Sequence, residues 1–156
     1  MPPETSGQLR IAKSNDQAQL IRLWALSFVE SGAEVEAFWE SHAGEWFSQY
    51  VDDHASARFP VIEVGGDIVA TAIGTLEVGP PNPWCPRGRI VRLANVFTLP
   101  DHRDRGYGTA LVIDVIEWAR SISADRVDLS ATEGGERVYQ RLGFLRTTAP
   151  RMKLVL

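Results

Sequence analysis

The chain has 156 residues, 44% hydrophobic and 23% charged, an ordinary globular composition with enough length for one domain and a substantial core. Sixteen Lys and Arg against 20 Asp and Glu leave a net charge of −4, which argues against a nucleic-acid partner held by phosphate neutralisation. Cys85 is the only cysteine, so no intrachain disulfide forms, and no apolar run approaches the roughly 20 residues that span a bilayer. A cytoplasmic protein with no membrane partner is the expectation.

Residues 1–8 open as Met1-Pro2-Pro3-Glu4-Thr5-Ser6-Gly7, without the basic and apolar parts of a signal peptide, and are expected to be a mobile tail. Residues 9–156 then form a single domain. Leu9–Ala12 reads as a first strand. Ser14, Asn15 and Asp16 offer cap oxygens to a helix with Leu20, Leu23, Trp24 and Phe28 on one side, stopped by Gly32. A second helical pattern runs from about Glu34 to Val51, with Val35, Phe38, Trp39, His42, Trp46 and Tyr50 on one stripe; Gly44 allows it to break in two. Most of these rings read as core.

Phe59–Val64 and Ile68–Val78 are β-branched runs joined by Gly65-Gly66-Asp67, a hairpin signal. Gly79–Gly88 holds four prolines and is expected to protrude as a loop. Arg89–Leu99 is the next strand, and its alternation breaks at Ala94-Asn95, which permits a bulge. Gly106–Ser121 is a strong helical pattern, with Leu111, Val112, Val115, Ile116 and Ala119 on the apolar face. Arg126–Ala131 reads as a strand and Gly135–Leu142 as a short helix ended by Gly143. Phe144–Thr148 and Met152–Leu156 are expected to close the chain as strands. The fold class is therefore α/β with a mixed sheet: mainly antiparallel N-terminal strands, a parallel β–α–β crossover, and a central strand pair that splays if the bulge forms.

The chemistry concentrates in Arg103-Asp104-Arg105-Gly106-Tyr107-Gly108-Thr109, a glycine turn between a strand and a helix. A helix start leaves about four N–H groups unpaired and carries roughly half a positive charge, which together favour a phosphate or pyrophosphate. Gly106 and Gly108 let the backbone approach that anion. Unpaired backbone at Val96 and Thr98 would meet an amide-containing arm. A phosphate at one end and a peptide-like arm at the other describes coenzyme A.

On these residues the chain resembles the GNAT-type N-acetyltransferases, whose turn reads Arg/Gln-x-x-Gly-x-Gly/Ala. Tyr139-Gln140-Arg141-Leu142-Gly143-Phe144 resembles the family's closing Tyr-x-(basic)-x-Gly-Phe element. The resemblance implies acetyl-CoA, or another short acyl-CoA, as donor and a primary amine as acceptor, with no metal. It implies pantetheine contacts from Val96, Phe97 and Thr98, and pyrophosphate contacts from Arg103, Asp104, Arg105, Gly106, Tyr107, Gly108 and Thr109. It places Tyr139 as general acid to the leaving thiolate. Thr132 stands where the family often has Asn, keeping one hydroxyl donor, and Gly135 replaces the usual Ala. The general base stays open among Glu77, Asn95 with a water, Glu30 and Glu34. His42, His54 and His102 lack zinc-ligand spacing, and Cys85 lacks a catalytic partner.

The expected activity is acetyl transfer to a small-molecule amine. The alternatives are a protein or peptide N-acetyltransferase and a non-catalytic acyl-CoA-binding module. Paired subunits are frequent in families of this resemblance, so a homodimer is among the expected states.

Overall fold

A computed structural model describes residues 6–156, so residues 1–5 of the expected tail lie outside the described residues. The elements are β1 (Gln8–Ile11), α1 (Gln17–Glu30), α2 (Ala37–Tyr50), β2 (Ala57–Arg58), β3 (Pro60–Val64), β4 (Asp67–Val78), β5 (Arg89–Thr98), α3 (Tyr107–Ser121), β6 (Arg126–Asp128) and α4 (Glu136–Arg141). The sheet has six strands in the order β1-β3-β4-β5-β6, with β2 also pairing β4. All pairs are antiparallel except β5 with β6, the two strands joined through α3. This is the mixed sheet the sequence predicts.

Two apolar layers sandwich the sheet. One is built by α1 and α2 on Leu20, Leu23, Trp24, Phe47, Phe59 and Val61; the other by α3 on Leu111, Val112, Val115 and Trp118 against Val69, Ala72, Val91 and Leu93. Two expectations about the first layer need correction. Gly44 does not break α2: it is buried, and a Cβ there would sit 2.8 Å from the Gln17 side chain, so the missing side chain lets α1 and α2 approach. That approach turns the helix so that Phe47 is fully buried, with ring centroids 6.0 Å from Trp24 and 5.1 Å from Phe59, while Phe38 is 64% exposed. Ser14–Asp16 form a 3₁₀ turn and give α1 no side-chain cap. The Asp16 carboxylate instead accepts the Lys13 N–H (2.7 Å) and both Arg10 guanidinium nitrogens (2.7 and 2.9 Å).

The protruding Gly79–Gly88 loop is tied down by one carboxylate. Asp125 accepts the Cys85 Sγ–H at 3.0 Å and the N–H groups of Arg87 (3.0 Å) and Arg89 (3.2 Å). Cys85 is buried, and Asp125 beside it pushes its thiol above the ordinary range, which keeps it protonated and inert.

The C-terminal region departs furthest from expectation. The strand predicted over Arg126–Ala131 pairs only across Arg126–Asp128, and neither Phe144–Thr148 nor Met152–Leu156 forms a strand. Arg146 makes a two-pronged ion pair with Glu136 of α4 (2.8 Å to each oxygen), which ties the segment to that helix. Pro150 then lacks an N–H for any ladder. Strand-forming residues need a partner edge, and this segment reaches none in its own chain.

Candidate active site

β5 carries the feature from which the site is built. Thr71 pairs with Phe97 and Ile73 with Ala94, so Ala72 faces both Asn95 and Val96. Asn95 has φ 51, a left-handed backbone conformation that asparagine tolerates better than most residues. This is the β-bulge that the broken alternation permits. One extra residue reverses which face each later side chain takes. Val91 and Leu93 therefore lie in the α3 layer, whereas Phe97 lies in the α1/α2 layer and Val96 packs toward α3.

β6 follows β5 only as far as Arg92 opposite Asp128, so the part of β5 from Leu93 to Thr98 has an open outer edge. The Leu99 N–H donates to the Val69 carbonyl at 2.9 Å, across to β4. By strand alternation the N–H groups of Val96 and Thr98 point the other way, into the gap. The carbonyl of Thr98 is not free there: Arg103 Nε donates to it at 2.9 Å. Val96 offers both of its backbone groups, and Thr98 only its N–H.

The turn between β5 and α3 lies beside this edge. Gly106 has φ 78 and Asp104 φ 62, two left-handed positions that bend the chain into the helix. A Cβ on Gly106 would meet nothing within 4 Å, and one on Gly108 would meet only Val96 Cγ1 at 4.0 Å. The first intrahelical bond runs from Ala110 N–H to the Gly106 carbonyl (3.1 Å), and no side chain caps the helix. The backbone N–H groups of Tyr107, Gly108 and Thr109 thus face a space bounded by Val96. The Tyr107 side chain turns away, its hydroxyl accepting the Gly7 N–H at 3.2 Å. Arg105 is exposed.

Arg103 serves the turn's shape. Its Nη2 lies 2.9 and 3.1 Å from the two Glu30 oxygens at the end of α1, and its guanidinium stands 5.5 Å from the Phe97 ring centroid. Glu30 is thereby occupied by a cation. Glu77 is likewise engaged, accepting from Arg92 Nε at 2.7 Å, so neither of these candidate bases stands free. The Glu30–Arg103 pair spans 73 residues of chain, and no local sequence signal marks it.

Tyr139 lies on α4, half-buried, with its ring edge-on to Phe144 at 5.8 Å between centroids. Burial pushes its phenol above the ordinary value near 10, so it is protonated throughout the neutral range. Thr132 is exposed in the loop before α4. Its Oγ1 and Tyr139 Cε2 both flank Gly135, at 3.2 and 3.6 Å from where a Cβ would stand. The small residue at 135 leaves that corner open. Among the described residues no group of three or more His, Cys, Asp or Glu is placed to hold a metal ion.

Fold and cleft together are those of an acyl-group transferase. The family model for the acetyltransferase (GNAT) family matches residues 18–144, and the chain belongs to that family. Its structure is similar to that of a predicted acetyltransferase from Clostridium acetobutylicum solved with acetyl-CoA (TM-score 0.87, 21% identity, 96% of each chain covered). It is similar to a GCN5-related N-acetyltransferase from Ralstonia eutropha JMP134 (TM-score 0.80, 25% identity, 96% of this chain and 99% of that one). A third likeness is to glucosamine-6-phosphate N-acetyltransferase from Arabidopsis thaliana (TM-score 0.76, 16% identity, 96% and 98% covered). No curated protein matches the sequence.

Proposed function

We propose that residues 9–156 act as one catalytic domain that moves an acetyl group from acetyl-CoA to the primary amine of a small molecule. The carrying observation is the uncapped start of α3 facing Val96 on the open edge of β5. The N–H groups around Gly106–Thr109 would hold the diphosphate of the donor, and the backbone of Val96 with the Thr98 N–H would hold its amide arm. Arg103 acts as a positioning residue, since its side chain is spent on Thr98 and Glu30.

The neutral amine attacks the thioester carbonyl, the C–S bond breaks, and Tyr139 gives its proton to the departing sulfur. A coenzyme thiol with an ordinary pKa of about 8.5 leaves more easily when protonated, and such help is worth about 10²–10⁴ in rate. The phenol's raised pKa keeps that proton available. The acceptor's proton passes to solvent, consistent with Glu30 and Glu77 being held by arginines. A net charge of −4 favours a polar or cationic acceptor, such as an amino acid derivative, a polyamine or an aminoglycoside-like compound. The Arabidopsis neighbour, by its name, acts on glucosamine-6-phosphate.

The test is an amine panel with acetyl-CoA, reading released thiol, run beside a peptide panel and calorimetric coenzyme binding. Turnover with a small amine is expected. Turnover with peptides alone would move the acceptor class, and binding without turnover would make the chain a coenzyme-binding module.

A further inference from the structure

Arg92 faces Asp128 in the last paired position of β5 and β6, so these two residues stand where the strands begin to part. Val91 and Leu93 lie in the α3 layer, which turns Arg92 to the opposite face of the sheet. There Arg92 donates through Nε to Glu77 at 2.7 Å, while Asp128 takes both prongs of Arg126, at 2.9 and 3.3 Å. Arg10, Arg58, Arg103, Arg126 and Arg146 each give a carboxylate a terminal nitrogen. Arg92 gives Nε alone, and its terminal nitrogens meet no acceptor among the described residues. Its side chain is only 23% exposed, so these donors are largely withdrawn from water without a partner to replace it. Arg92, Asp128 and Tyr139 all line one groove of about 1440 Å³. Five arginines and four carboxylates line that groove, so its balance is positive although the whole chain carries −4.

We propose that Arg92 determines acceptor specificity by gripping a carboxylate on the acceptor. The inference rests on the acetyl-transfer reading above and narrows its acceptors to amino acid derivatives. The unspent fork of Arg92 receives the two carboxylate oxygens, a match that a planar guanidinium makes in parallel. Glu77, by holding Nε, sets the direction of the fork. The amine of such an acceptor lies toward the gap between β5 and β6, where the thioester arrives and whose groove Tyr139 lines. A carboxylate suits the place better than a phosphate. Glu77 and Asp128 flank Arg92, so each further negative charge on the ligand adds repulsion.

Matched acceptors decide this: amino acids, their primary amides, and amines of similar length bearing a phosphate, each assayed with acetyl-CoA by thiol release. For the wild type, kcat/KM is expected to be about 10–150-fold higher for the acid than for its amide, the range of a hydrogen-bonded charge. The amide loses its ammonium proton more easily, having no carboxylate beside it, so amine basicity cannot produce that preference. Arg92→Gln is expected to erase the preference, with the loss falling on KM for the acid rather than on kcat, and Arg92→Lys to restore part of it. A wild type that uses amides or phosphates as well as acids overturns the proposal and leaves acetyl transfer standing, whether or not the variants fold. A KM rise shared by acid and amide in Arg92→Gln, or an equal loss of coenzyme affinity by calorimetry, overturns it too. Thiol release with none of the amines overturns the acetyl-transfer reading and this inference together.

Discussion

Gly106→Glu isolates the anion site from the fold. The position has φ 78, where a side chain costs about 1–2 kcal/mol, and a Cβ there meets nothing within 4 Å. The loss is modest against a domain stability of about 5–15 kcal/mol and corresponds to a Tm drop of about 2–8 °C. A carboxylate at a helix start also recovers about 0.3–1 kcal/mol from the dipole. The effect on binding is far larger. The glutamate puts a negative charge about 4 Å from where a diphosphate charge would sit, a repulsion of about 4 kcal/mol at an effective dielectric of 20. That is about a thousandfold in Kd. Gly106→Ala carries the same backbone strain without the charge, so the comparison is between the two variants. Calorimetry with coenzyme A measures the affinities and thermal unfolding the strain. Equal coenzyme affinity in the Glu and Ala variants would refute the assignment of the α3 start as the anion site.

Tyr139→Phe keeps the ring against Phe144 and removes only the hydroxyl; kcat is expected to fall about tenfold or more with coenzyme Kd unchanged, and equal kcat would reduce Tyr139 to packing. Because burial raises the Tyr139 pKa, its proton persists to higher pH than that of a free phenol. The kcat profile should therefore rise as the amine deprotonates and show no Tyr139-dependent fall below about pH 10; an alkaline limb near pH 8 that vanishes in Tyr139→Phe would contradict this. Asp16→Asn should cost about 1.5–3 kcal/mol by urea unfolding at pH 7, since it breaks a two-pronged bond to Arg10. The hydrogen bonds from Arg10 outweigh burial and hold the Asp16 carboxyl below the usual range. Its contribution is thus present above the unfolded value near 3.9 and lost as pH falls through the lower folded value. The gap between wild type and variant should close in acid, and a gap that widens there would be decisive against it.

What could be read in advance follows a physical division. Signals that depend on neighbours in sequence were legible: the broken alternation at Asn95, the Gly65-Gly66 hairpin, and the glycine turn at Gly106. Features that depend on distant partners were not. Nothing near Arg103 announces Glu30, 73 residues away, so the ion pair that engages its side chain is invisible until the fold brings α1 to the turn. Gly44 looks like a helix breaker until the approach of α1 gives it a use. The β-branched and apolar residues after Phe144 read as strands, but period two says nothing about whether an edge is there to pair with, and the segment forms no strand.

The bulge at Asn95 has a consequence for anyone engineering this chain. Side chains in a strand occupy two sides by parity, so one residue is the smallest unit that exchanges them. Straightening the bulge with Asn95 kept would re-thread β5: Phe97 would be driven into the helix-α3 side and Val96 out of its place beneath Gly108, whereas deleting Asn95 would leave both on their present sides. Loop grafts and chimeras that cut this strand must therefore keep the bulge and its extra residue together or drop both, a constraint of arithmetic that no choice of side chain relaxes.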